Sequence, residues 1–268
     1  MGTVQKRSPA KMLNFIKQTT VRAGKKILES KPSILREKGG TGNWVTEADL
    51  VSEKIIISSI QTAYPSHKIL SEESATQLNN PEKVENLWIV DPLDGTTNAK
   101  FSLPFFSVSI AFMQNGLLKL GAVYDPSRNE LFWAEKGKGA YLNDNKIQIL
   151  KTTAFKNTIV DIGSPYFEKN FKITYPTGEL FYKAGARLVN LGSAALECGY
   201  VACGRLSFYF ETGLKPWDIA AGKLIVEEAG GQMESLQPYF SLFNLTETLT
   251  GNTALIKAAK RLLNKVDE

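Results

Sequence analysis

The chain has 268 residues, 43% of them apolar and 22% charged, with a formal net charge of +5 at pH 7. This composition excludes a disordered chain and provides enough apolar residues for one large domain or two intimately packed halves. Apolar runs such as Ile55-Ile56-Ile57 and Leu224-Ile225-Val226 are too short to span a bilayer, and the basic N-terminus leads into an amphipathic segment instead of a secretory core, so a cytoplasmic location and no membrane partner are expected.

In chain order, Ser8-Pro9 form an N-cap and N1 pair, and Met12, Phe15, Ile16, Val21 and Ile27 recur near helical spacing to about Glu29. A glycine-rich reversal follows at Gly39-Gly40-Thr41-Gly42. Thr46-Glu47-Ala48-Asp49 then opens a second helix through Ile55, Ile56 and Ile60, closed by Tyr64-Pro65. Two helices are thus expected before the first good strands. The single histidine, His67, reads as a structural residue of a surface turn. Strands are expected at 68–70, 87–90, 108–113, 118–124, 131–134 and 147–149, and their breaks at Asn115-Gly116, Asp125-Pro126 and Asn143-Asp144-Asn145 suit antiparallel meanders.

Beyond Lys151 the pattern alternates: a strand at 158–162, a helix in 165–173, a strand near Leu188, a helix over 193–202, a strand at 206–210, a helix over 217–229, a strand at 232–234 and a last helix from about Ile256. Cys198 and Cys203 fall on roughly opposite faces of one helix, which disfavours a bridge and predicts buried thiols. Lys257, Lys260, Arg261 and Lys265 read as a solvated helix face and give little basis for nucleic-acid binding. With no linker or internal repeat, an α+β half over 1–150 and an α/β half over 151–268 are expected to pack as one body with a cleft between them.

The chemistry concentrates in Trp88-Ile89-Val90-Asp91-Pro92-Leu93-Asp94-Gly95-Thr96-Thr97-Asn98. An apolar strand runs into two aspartates three apart with no Lys or Arg to neutralise them, so both carboxylates and the Leu93 carbonyl can converge on hard cations. The Gly95 and Thr96 amides would then face an anion. Asp49, Glu72 and Asp218 also stand beside shape-setting residues, although each has a local explanation: Asp49 as a capping-box acid, Asp218 as a helix-start acid and Glu72 as part of a charged loop. Other phosphate chemistries fit poorly. Neither cysteine has an arginine at the spacing a cysteine phosphatase needs, and Asp-x-x-Asp is not the Asp-x-Asp of aspartyl-phosphate enzymes. Gly137-Lys138-Gly139 lacks the third glycine of a nucleotide loop and reads as a strand-turn device.

Asp91-Pro92-Leu93-Asp94-Gly95-Thr96-Thr97-Asn98, with Pro104-Phe105-Phe106-Ser107-Val108-Ser109-Ile110 downstream, and Trp217-Asp218-Ile219-Ala220-Ala221-Gly222, with Glu228-Ala229-Gly230-Gly231, together resemble the two signatures of the inositol monophosphatase family, the Mg²⁺-dependent, lithium-sensitive phosphatases. Thr46–Asp49, Glu72-Glu73-Ser74, Gly137–Asn143 and Gly192-Ser193-Ala194-Ala195 support the likeness, which covers nearly the whole chain. The resemblance implies a layered αβαβα sandwich of the sugar-phosphatase type, with a mixed or antiparallel N-terminal sheet, a smaller C-terminal sheet and the active site in the cleft.

It also implies two or three Mg²⁺ ions: one on Glu72, Asp91 and the Leu93 carbonyl, a second on Asp91, Asp94 and Asp218, and a weaker third on Glu72. Glu72 and a Thr96–Asp49 dyad would activate a water, Gly95 and Thr96 would hold phosphate oxygens, and Asp94, Gly192, Ser193, Ala194 and Glu211 would meet the substrate's hydroxyls. The expected substrate is inositol 1-phosphate or a related polyol or sugar phosphate, and the expected assembly is a homodimer. Fructose 1,6-bisphosphate, histidinol phosphate and 3′-phosphoadenosine 5′-phosphate remain alternatives, as does an accessory role in transcription through RNA polymerase or RNA. Asn98 matches the monophosphatases, whereas the nucleotide branch more often has Lys-Glu there. Many relatives carry arginine just before Gly-Ser-Ala-Ala, but this chain has Val189-Asn190-Leu191 and places Arg187 further upstream.

Overall fold

The computed structural model describes residues 9–30, 33–74, 78–237 and 239–264. Ser8 of the expected cap and Lys265 of the basic face lie outside the described residues. Helix α1 (Pro9–Glu29) buries Ile16, Thr20, Ala23 and Ile27, a stripe at spacings of four, three and four that turns toward the core.

The glycine reversal is the tip of a two-stranded hairpin, β1 (Ile34–Glu37) against β2 (Trp44–Thr46), which corrects the expectation of two helices before any strand. β1 is exposed along its length, so it carries none of the apolar alternation by which a strand is read. Helix α2 (Glu47–Ala63) starts as expected, with Thr46 as N-cap and the Asp49 carboxylate accepting the Thr46 amide at 2.8 Å.

A seven-stranded sheet follows in the order of the chain: β3 (Lys68–Ser71), β4 (Asn86–Asp94), β5 (Ser107–Gln114), β6 (Leu117–Asp125), β7 (Glu130–Glu135), β8 (Gly139–Leu142) and β9 (Asn145–Ile147). β3 and β4 are parallel and the other pairs antiparallel. The strand expected at 147–149 is instead β9, because the Ile149 amide leaves the sheet to donate to the Ala229 carbonyl at 3.1 Å. Residues 137 and 138 make the turn from β7 to β8, so the Gly-x-Gly stretch is the strand-turn device expected. Between β4 and β5 lies the short helix α3 (Thr96–Lys100).

The second sheet has the order β11-β10-β12-β14-β13, built from β10 (Ile159–Ile162), β11 (Arg187–Val189), β12 (Phe208–Thr212), β13 (Gln232–Glu234) and β14 (Glu247–Gly251). β14 has no counterpart in the sequence reading. Its Glu-Thr-Leu-Thr-Gly carries one apolar residue, and it becomes buried only by pairing with β12 and β13. Helices α4 (Glu168–Lys183), α5 (Ala194–Ala202), α6 (Pro216–Glu228) and α7 (Thr253–Asn264) complete the fold. α4 corrects the expected helix at 165–173: it runs through Pro176, a residue that ordinarily ends a helix, because Thr174, Thr177, Gly178 and Phe181 are buried beneath it.

The layers run α1 and α2, large sheet, α5 and α6, small sheet, α4 and α7, the αβαβα sandwich of the family expectation. Strand alternation sets which layer each residue serves. Trp88 and Val90 join Ile16, Ile56, Ile60 and Tyr124 under the first two helices. Leu87 and Ile89 face the opposite way, into a core shared with Phe132, Leu196, Tyr209, Leu224 and Ile225. Phe208 and Phe210 pack with Phe181, Leu249 and Ile256 beneath the last layer. Each fully buried large apolar side chain contributes about 1.5–3 kcal/mol.

His67 stands in the expected turn between α2 and β3, half-buried, where an aromatic stack gives it a structural role. Its Nδ1 accepts the Trp88 indole N–H at 3.1 Å, its ring lies against Tyr64 and Phe112, and burial lowers its pKa. Cys198 is buried, but Cys203 caps α5 and is only half-buried; neither is bridged. No helix of the described residues is long and apolar enough to cross a membrane.

Candidate active site

The two signature aspartates sit within β4 and not beyond its end, which corrects the sequence reading. Asp91 pairs with Ser109 and Asp94 with Ser107, so three steps on β4 oppose two on β5 and the strand bulges between them. The bulge turns Leu93 back so that its amide donates to Asp91 Oδ1 at 3.0 Å, while Ser52 of α2 donates to the Pro92 carbonyl at 2.6 Å. Leu93 itself is 1% exposed, which anchors the turn in the core. Gly95 then takes a φ of +87°, where a side chain would be strained, and a Cβ there would lie 3.0 Å from the Gly192 carbonyl. This close approach brings the β4 turn against the start of α5.

The expected Thr96–Asp49 pair is formed. Thr96 Oγ1 lies 2.9 Å from Asp49 Oδ1 and 2.9 Å from the Leu93 carbonyl. Asp49 is also the N3 acid of α2, so its local and its site roles coexist. Burial raises its pKa, against hydrogen bonds from Thr46 and Thr96 that lower it.

Asp94 reaches the first turn of α5. Its carboxylate accepts the Ser193 hydroxyl, the Ala194 amide at 3.2 Å and the Ala195 amide at 2.9 Å, and lies 3.3 Å from the Ser107 hydroxyl. Burial still pushes it up to about 6, these donors limiting the rise. The Gly192 and Ser193 amides bond Glu197 at 2.7 and 3.2 Å. The amides of the Gly-Ser-Ala-Ala segment are therefore held by the protein's own carboxylates, which leaves Ser193 and Ala194 as wall residues beside Asp94. Asn98 fastens this junction, its amide donating to the Phe105 and Leu191 carbonyls at 2.7 Å each.

Glu72, just after β3, is paired with a residue the sequence reading missed. Lys38, from the β1–β2 hairpin, places Nζ 2.7 Å from Glu72 Oε1 and also bonds Glu73. Burial lowers the Lys38 pKa, but the charges of Glu72 and Glu73 outweigh it and the net shift is upward. No local motif marks Lys38; only the glycine reversal after it hints that the chain turns there. Asp218, at the start of α6, accepts the Lys215 amide at 2.6 Å.

The charges of Glu72, Asp91, Asp94 and Asp218 do not balance. Burial and the charges of Glu72, Asp94 and Asp218 hold Asp91 well above the usual carboxylate range; burial and Glu72 do the same to Asp218; and burial pushes Glu72 up to about 7 despite Lys38. Four acids with so little positive charge form an all-oxygen donor set with an excess of negative charge, which hard divalent cations match. Among the described residues no three acids are drawn around a single point. Lys38 holds Glu72, and α5 holds Asp94.

Near Asp94 and Asp218, Glu211 at the end of β12 is buried and accepts the Tyr209 hydroxyl. Its carboxyl lies over Gly163, where a Cβ would fall 2.1 Å from Glu211 Cδ. Glu197 and Asp161 are its acidic neighbours. Burial and the Glu197 charge raise Glu211 well above its ordinary value, while burial, Glu197 and Glu211 push Asp161 up to about 10. Asp161 is fully buried and neither of its oxygens makes a full hydrogen bond. Asp161 and Glu197 were not legible as site neighbours, because each reads as an isolated acid until the sheet and α5 meet.

The inositol monophosphatase family model matches residues 8–266. Nus factor SuhB of Escherichia coli K12 is 38% identical over 262 residues, covering 96% of each chain. Inositol-1-monophosphatase of Mesorhizobium japonicum is 34% identical over 264 residues, 94% of this chain and 97% of that protein. Among solved structures, the extragenic suppressor protein suhB of Bartonella henselae superposes with a TM-score of 0.88 at 31% identity, over 95% of this chain and 99% of the other.

Proposed function

The chain belongs to the inositol monophosphatase family, and from that premise we propose that it is a Mg²⁺-dependent phosphomonoesterase acting on inositol 1-phosphate or a related polyol or sugar phosphate. The observation that carries this reading is the meeting of the Asp91–Asp94 bulge with Glu72, Asp218 and the Thr96–Asp49 hydrogen bond at one over-negative cleft. Glu72, Asp91, the Leu93 carbonyl, Asp94 and Asp218 would hold the ions. When bound, Mg²⁺ supplies Lewis-acid charge to the phosphate and lowers the pKa of a coordinated water.

The chain's own residues do the rest. Thr96 accepts a proton from the attacking water while donating its own to Asp49, Glu72 orients that water on the other side, and the departing alkoxide takes its proton from solvent water to leave as the alcohol. The Gly95 and Thr96 amides hold phosphate oxygens. Asp94, fixed by Ser193 and the α5 amides, presents its carboxylate to a substrate hydroxyl, with Gly192 and Ala194 shaping the wall and Glu211 meeting a hydroxyl across the cleft. No covalent phosphoenzyme is required.

Phosphate release from a panel of inositol 1-phosphate, fructose 1,6-bisphosphate, histidinol phosphate and 3′-phosphoadenosine 5′-phosphate tests the reading. Turnover of inositol 1-phosphate that needs Mg²⁺ and falls with excess Li⁺ or Ca²⁺ supports it; turnover that persists in chelator contradicts it. The Escherichia coli relative's designation as a Nus factor favours a second reading, an accessory role in transcription. Retention of RNA polymerase or RNA by an Asp94→Asn variant would support that role independently of hydrolysis.

A further inference from the structure

A groove of about 720 Å³ runs along α1 and shares no residue with the candidate active site. Lys17, Val21 and Lys25 form one row of the helix at a spacing of four, and Arg22 and Lys26 form the next. The floor of the groove is apolar: half-buried Val21, half-buried Ile55 of α2, and Leu131 of β7, which is 8% exposed. Its rim is basic, with Arg22, Lys25 and Lys26 exposed around that floor.

These cations are held in place without being neutralised. Lys17 Nζ stands 4.0 Å over the Trp133 ring, and Arg22 donates to the Ser59 hydroxyl of α2, both uncharged partners. Among the described residues Lys17, Arg22 and Lys25 have no carboxylate partner, and Lys26 has the exposed Glu29 at 2.8 Å. Four cations facing one acid call for an anionic occupant.

The floor decides which kind. A nucleic acid would bring phosphates to the rim, but its bases need aromatic faces to stack on. No aromatic residue lines the groove, and Trp133 beside it is already covered by Lys17 and by the Tyr141 ring, stacked at 4.3 Å. A bilayer surface is flat and would meet the rim while leaving the recessed Leu131 untouched. A helix with an apolar ridge between two acidic flanks satisfies both rim and floor. From Lys17 to Glu29 the groove follows about 18 Å of α1, roughly three helical turns.

We propose that this groove docks an acidic amphipathic helix of a partner protein, its apolar ridge on Val21, Ile55 and Leu131 and its carboxylates on Lys17, Arg22, Lys25 and Lys26. The proposal is independent of the phosphatase reading.

The test is fluorescence anisotropy of the full chain with a labelled helical peptide of about 16 Glu and Leu residues, the Leu confined to one face. The wild type should bind it with a Kd of about 10–100 µM, and a peptide with Ser in place of Leu at least about tenfold more weakly. Arg22→Glu/Lys25→Glu should weaken binding of the Leu peptide by at least about tenfold, whereas Lys257→Glu/Arg261→Glu on α7, the same change of net charge elsewhere, should stay within about twofold. Both residues of each pair are exposed, so circular dichroism should match the wild type. Where the reversal fails to fold, Arg22→Gln/Lys25→Gln takes its place, with an expected loss of about threefold. No binding of the Leu peptide at about 1 mM, equal binding of the Ser peptide, undiminished binding in the groove variant, or an equal loss in the α7 variant overturns the proposal. Tighter binding of a single-stranded RNA of equal charge or of phosphatidylglycerol vesicles, lost in the groove variant, also overturns it and assigns the face to that partner.

Discussion

Gly163→Ala isolates how Glu211 is positioned. The alanine methyl would lie 2.1 Å from the Glu211 carboxyl carbon, and ordinary contact begins near 3.4 Å, so the carboxyl must move by 1.3 Å, the difference. Such a shift removes the Tyr209–Glu211 hydrogen bond in a fully buried setting. A buried hydroxyl left without a partner costs about 1–3 kcal/mol. For a chain of this size that corresponds to a fall in Tm of roughly 2–10 °C. The backbone at Gly163 is not in the left-handed region, so the methyl itself adds no torsional penalty. Thermal unfolding of Gly163→Ala, Glu211→Ala and the double variant separates the clash from other effects. Once Glu211 is truncated, adding the methyl should cost less than about 0.5 kcal/mol. Additive losses would refute the claim that Gly163 acts by leaving room for Glu211.

Asp161→Asn tests the buried acid behind the site. The Asp161 pKa is raised to about 10 by burial, Glu197 and Glu211, so the unfolded chain releases this proton first as pH rises. Its contribution is fully present below the unfolded carboxylate range near pH ~4 and is lost as pH rises toward the folded value. Urea unfolding at pH 5, 6.5 and 8 should show Asp161→Asn gaining on the wild type by up to about 1.4 kcal/mol per pH unit; a pH-independent difference would contradict this. Lys38→Met should lower the Tm of the metal-free protein, since Glu72 and Glu73 lose their ammonium partner. Millimolar Mg²⁺ should narrow that gap, and an unchanged gap would show that Lys38 and the cation do not share Glu72.

The sequence exposed those parts of the molecule whose logic is local. The Thr46–Asp49 capping box, the apolar run of β4 and the Gly192-Ser193 helix start each follow from spacing and side-chain chemistry within a few residues. The parts that stayed hidden depend on distant packing. β14 is a polar strand buried only by its neighbours, and α4 runs through Pro176 because tertiary contacts override the local signal. Lys38 meets Glu72 through a hairpin whose own residues contain no motif. Even Asp94, identified by its signature, has a partner no local rule supplies: the first turn of α5, a hundred residues on.

The most direct test of the central claim is phosphate release from inositol 1-phosphate as Mg²⁺ is titrated, in the wild type and in Asp94→Asn, with the fold of both followed by circular dichroism. Saturable Mg²⁺ dependence, loss of turnover in chelator and a loss of at least about 10²-fold in a folded Asp94→Asn protein are expected. Undiminished turnover in chelator, or full activity in the variant, would contradict that claim.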